Sequence, residues 1–160
     1  MPEKTLEELK KDYEKIQKKH NLPGFKELNE DFQIEKICES ETEILIREVR
    51  KFMADKFSNY LRFIEAIIHP INAPVFILSV VKSISQEDRR KFEEIYKKLA
   101  KNEINLIEVD IVFSEEKEAG FIRDSYRMWQ EIKKELLDEI KVIKSNWDNK
   151  LNSNNKGYFG

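Results

Sequence analysis

Cysteine, histidine, glycine and proline are all scarce in this chain of 160 residues, and each scarcity excludes something. The single cysteine, Cys38, rules out an intramolecular disulfide and any metal site built from cysteine pairs. It fits a reducing, cytoplasmic setting. Two histidines, His20 and His69, are too few for zinc, which takes three or four protein ligands. The four glycines stand apart at 24, 120, 157 and 160, so no glycine-rich loop can cradle a phosphate. Gly-x-Ser-x-Gly and His-Glu-x-x-His runs do not occur. We therefore expect no metal and no other cofactor, assign no catalytic residue, and set the balance against an enzyme.

Long hydrophobic runs are missing as well. The most apolar stretch, PVFILSVV at 74–81, falls far short of the ~20 residues a membrane helix needs. The opening MPEKTLEELKKDYEK lacks the apolar centre of a signal peptide. A net charge of −2 gives no global pull toward nucleic acid or anionic lipid. A cytoplasmic protein without membrane association is expected.

What remains is abundant charge, 38% of residues, with 40% hydrophobic and 11% aromatic content. Aromatics at that level argue for a packed core and against disorder. Few glycines and prolines with much Lys, Glu, Leu and Ile favour long helices. The length suits one domain, which we place at 1–148.

Spacing predicts the elements. Thr5 with Glu8 is a capping box, and Leu6, Leu9, Tyr13 and Ile16 make one stripe over 5–20. NLPG at 21–24 is a turn, and Phe25, Leu28 and Phe32 suggest a short helix at 25–32. Ser40 with Glu43 reads as a second capping box, opening a long helix over 41–69. That helix is apolar on more than one side, a mark of a central position or of a dimer. Pro70 and Pro74 break the chain, and 70–84 is expected to be an irregular connector. Further helices are predicted at 86–112 and 115–148. The fold class is all-α, a bundle of about four main helices. The alternation in NLIEVDIVF is the one competing signal: if 75–81 and 105–113 pair as strands, the class becomes α+β. We prefer helix at 105–113, because Phe92, Leu99, Leu106 and Phe113 repeat every seven residues. The polar tail 149–160 is expected to be disordered, with Tyr158 and Phe159 as aromatic contacts for a partner groove.

Few residues are candidates for chemistry. Glu65 and His69, four apart, share a helix face and could approach one metal. A bundle metal site wants several Glu and two Glu-x-x-His motifs, and the chain has none. Histidine before a proline break reads instead as a helix terminus, where the dipole favours its cation. Cys38 sits among acids in EKICESETE, which disfavour a thiolate. Glu7–Glu8 and Glu115–Glu116 begin helices and complement their dipoles.

Charge is segregated in blocks. Residues 27–43 and 103–124 each hold seven acids, against one and two bases. Residues 44–62 hold five bases and two acids, and 82–101 seven bases and four acids. Neighbouring helices could simply neutralise one another through solvated pairs worth ~0–1 kcal/mol each. A basic face could instead meet an acidic partner, since arginine suits bidentate carboxylate or phosphate recognition. On that reading Arg47, Arg50, Lys51, Arg89 and Arg90 are the candidate partner contacts. The function expected is a non-enzymatic adaptor or accessory protein that binds a protein partner through these charged faces. The alternative is a nucleic-acid-binding accessory protein using the basic blocks 44–62 and 82–101. A homodimer suits either.

Overall fold

Capping chemistry sets the limits of the first helix, α1 (Leu6–His20). The Glu8 amide donates to the Thr5 hydroxyl at 3.3 Å, and the Thr5 amide donates to the Glu8 carboxylate at 2.9 Å. Asn21 ends the helix at φ 53°, with its N–H on the Gln17 carbonyl; asparagine is among the side chains that tolerate this left-handed turn. Helix α2 (Phe25–Phe32) and a 3-10 segment (Ile34–Glu39) follow, then α3 (Leu45–Ile68), α4 (Val75–Ser83), α5 (Gln86–Ile111) and α6 (Glu115–Gly157). The computed structural model describes residues 4–157, with side chains as far as Lys150. No strand occurs among the described residues. The protein is all-α, a bundle of packed helices.

Three boundaries differ from the sequence expectation. Helix α3 begins at Leu45 and not at 41, because Ser40 is engaged behind it. Its hydroxyl and its amide both donate to the Ile37 carbonyl, at 2.9 and 3.1 Å, closing the 3-10 segment. Residues 75–83 are a helix and not an irregular connector. Their branched side chains have weak helix propensity, but Ile77 and Val80 both reach a core, and burial outweighs a few tenths of a kcal/mol per residue. Helix α6 continues to Gly157, past the predicted end near 148. No proline interrupts that stretch, and polar residues on a helix already nucleated need only propagate it. Tyr158 and Phe159 lie outside the described residues.

The chain divides into two compact units. One comprises Met1–Asn59 and Lys101–Trp129, the other Tyr60–Ala100 and Gln130–Gly160. In the first unit, α1, α2 and the 3-10 segment pack on one another and bury Leu9, Tyr13, Leu28, Phe32, Ile34 and Ile37. Helix α3 contributes Val49, Met53 and Phe57, each 1% exposed or less. Phe57 meets Phe32 edge-on with ring centres 5.3 Å apart, and Trp129 lies 5.9 Å from Phe57. Leu106 and Val109 pack with Ala54 and Phe121, so 105–111 is held as helix by its inward face. The second unit buries Ile64, Ile67, Ile77, Phe92, Ile95, Leu99 and Ile132. Each such side chain removed from water contributes about 1.5–3 kcal/mol.

Candidate functional site

The basic block on α3 is engaged within the first unit. Arg50 is 4% exposed. Its Nε donates to Glu118 Oε2 at 2.7 Å and its Nη2 to Glu118 Oε1 at 3.2 Å, a two-pronged pairing that a guanidinium fork suits. Nη2 also reaches Asp110 at 3.2 Å. Arg47 stands 3.6 Å from Asp110 and lies over the Phe113 ring at 5.9 Å. Lys51 is exposed and pairs with Glu48 at 3.1 Å. Asp110 and Glu118, from the acid-rich block 103–124, thus supply the counter-charges for Arg47 and Arg50. In the second unit Arg89 donates to the Ile68 carbonyl at 2.9 Å and pairs with Glu93 at 3.5 Å. Arg90 is exposed. Of the five arginines and lysines singled out by sequence, the structure brings Arg47 and Arg50 onto one shared acid, and it withdraws Arg50 from solvent.

Glu65 and His69 are both exposed at the end of α3. The Glu65 carboxylate accepts from the Tyr96 hydroxyl at 3.4 Å, and the His69 ring meets the Tyr96 ring edge-on at 6.3 Å. No group of three or more His, Cys, Asp or Glu side chains suited to a metal ion occurs among the described residues. The other histidine, His20, closes α1 against the start of α6. Its Nε2 lies 2.7 Å from Glu115 Oε1, which Lys19 also meets at 3.0 Å. The hydrogen bonds of these two partners, His20 first, hold the Glu115 carboxyl below its ordinary value.

One titrating group had no signal in the sequence. Glu139, on α6 in the second unit, is 2% exposed. Lys91 approaches its Oε1 at 3.4 Å, while its Oε2 is buried without a hydrogen bond. Burial, and after it the negative charge of Asp88, pushes the Glu139 carboxyl above its ordinary value despite the lysine. Asp88 is held in place as the Ser85 capping partner on α5, with the Ser85 hydroxyl donating to it at 2.7 Å. A raised acid binds more protons folded than unfolded. Its contribution is fully present below the ordinary carboxylate value and is lost as pH rises through the folded one. Glu139→Gln should therefore raise the urea midpoint at pH 7 relative to wild type, with the gap closing toward pH 4. Parallel urea titrations at the two pH values check this; equal gaps at both would show that the carboxyl does not titrate there.

The second unit also carries an open apolar groove. Phe63 of α3, Phe76 and Val80 of α4, and Ile140, Ile143 and Trp147 of α6 line a groove of about 460 Å³. Among the described residues Lys144 is the charged side chain in its wall. Phe76 and Trp147 remain 54% and 39% exposed, and beside them on α4 and its entry turn Val75 and Ile71 reach 81% and 82%. The α6 residues recur at i, i+3 and i+7, which aligns them on one helix face. Charge around the groove is mostly of one sign. Residues 70–85 carry only Lys82, and residues 140–150 carry Lys141, Lys144 and Lys150 against Asp148. That this helix face remains open there depends on α4.

Among the described residues, no helix is long and apolar enough to cross a membrane. No protein-family model, characterised protein or solved structure matches the chain.

Proposed function

We propose that this chain is a non-enzymatic protein-binding module, an adaptor or accessory protein that holds an apolar helix face of a protein partner in the groove of its second unit. The observation that carries the reading is the groove itself: among the described residues, six apolar side chains, two of them exposed aromatics, with Lys144 in the wall. Contiguous exposed apolar surface rimmed by polar residues is what interaction sites present. Aromatic anchors in such pockets supply most of the energy of an interface. A groove between helices suits the helix-in-groove mode, read by anchors at i, i+3, i+4 and i+7. Charged faces then act on encounter and orientation more than on affinity. Within this reading Lys82 and Lys144 are rim charges, whereas Arg50 is internal. A reducing cytoplasm, where Cys38 stays a thiol, is the setting we assign.

The test is photo-crosslinking from position 76 with benzoylphenylalanine in the intact protein, inside source cells. Covalent adducts to protein, abolished by Trp147→Glu, are the expected result. Adducts confined to lipid or nucleic acid would overturn the reading, and the second outcome would favour the basic-block alternative. No observation at the groove favours a nucleic acid, whose phosphates would seek unpaired cations and make binding fall steeply with salt.

A further inference from the structure

The first unit carries a second exposed apolar face, of opposite electrical character. On α5, Ile104, Ile107 and Ile111 are 67%, 56% and 76% exposed. They fall at i, i+3 and i+7, one stripe on one face. No base occurs between Lys101 and Lys117; Asp110 and Glu115 are taken up by Arg47 and Arg50 and by Lys19 and His20, which leaves Glu103 and Glu108 as the acids beside the stripe. Glu103 and Glu108 flank the stripe on either side by helical geometry. Helix α5 is anchored behind this face by Leu106 and Val109, so the isoleucines project from a preformed, rigid surface.

We infer that the occupant of the groove is a second copy of this chain, which seats its Ile104–Ile107–Ile111 stripe against Phe76, Ile140, Ile143 and Trp147. The inference rests on the protein-binding reading of that groove. Three matches support it. The stripe runs over seven residue steps, and so does the α6 wall from Ile140 to Trp147, about 10 Å of helix each. Branched side chains standing out at helical spacing fit between the ridges of a facing helix. The stripe's border is acidic and the groove's border, with Lys82 and Lys144, is basic, which fixes the orientation and penalises stripe-on-stripe pairing.

The experiment reads mass and Trp147 together. Full-length protein is followed by analytical ultracentrifugation and by tryptophan emission across a dilution series. The expected result is association toward twice the chain mass, with emission moving to shorter wavelength as Trp147 leaves water. Ile107→Glu, on a residue that already faces solvent, weakens association at least about tenfold and removes the emission change, although it lies outside the groove. Ile104→Lys is the second variant should the first misfold by circular dichroism. Association also weakens with added salt. A wild type that stays monomeric overturns the inference, as does association that survives both variants or leaves the emission unchanged. Two added probes separate this from failure of the groove itself. Monomeric protein whose Trp147 shifts with a synthetic Glu-flanked amphipathic helix retains the protein-binding reading and loses only the self-partner. A shift with phosphatidylserine vesicles alone overturns both.

Discussion

Arg50→Met is expected to cost about 3–5 kcal/mol of folding stability, the penalty for leaving a buried acid without its partner. The guanidinium is held by two hydrogen bonds to Glu118, which is itself 1% exposed, and by one to Asp110. Methionine fills much of the volume but satisfies neither Glu118 oxygen. Adding Glu118→Leu should recover most of that loss, because a matched apolar pair avoids the desolvation that both charges otherwise suffer. Urea unfolding of the two single variants and the double variant gives the coupling directly. A single variant within about 1 kcal/mol of wild type would mean that water reaches this pair and that it behaves as a surface bridge.

The second large effect is expected at Phe57. The side chain is 1% exposed and is wedged between Phe32 and Trp129 at ring separations of 5.3 and 5.9 Å. Phe57→Ala removes the ring from both partners and leaves a void that helices can close only in part. The expected loss is about 3–5 kcal/mol. Phe57→Leu should restore more than half of it by refilling the volume. Thermal unfolding with near-ultraviolet circular dichroism, which reports Trp129 packing, is the measurement. A loss under about 1 kcal/mol would show that the cluster collapses onto the gap, at the low extreme of such substitutions. The two sites do not touch in any contact described above, so their effects should add.

How much of this was legible in the chain differs by element. Helix α1 was readable end to end, because Thr5, Glu8 and Asn21 act on backbone groups within four residues of themselves. Helix α5 was readable for a different reason: its seven-residue repeat outlasts the short alternation at Ile107, Val109 and Ile111. The capping signal at Ser40 misled, since the same hydroxyl can serve the turn behind it or the helix ahead of it, and spacing alone does not choose. Residues 75–83 misled because branched side chains look strand-like until Ile77 and Val80 have a core to enter.

The candidate sites divide in the same way. Blockwise charge was visible as composition, yet Arg50 and Arg90 looked alike in it. Their difference comes from Glu118, which is 68 residues from Arg50 and closes on it only once α3 and α6 are packed. Glu139 and the groove had no local mark of their own. One needs Lys91 and Asp88 brought from α5, and the other needs α4 to stand beside α6. Helix type and apolar faces follow from short-range spacing, so the chain alone specified them. Which charges are hidden and which greasy faces stay open depends on meetings between residues tens of positions apart, and only the packed helices could decide that.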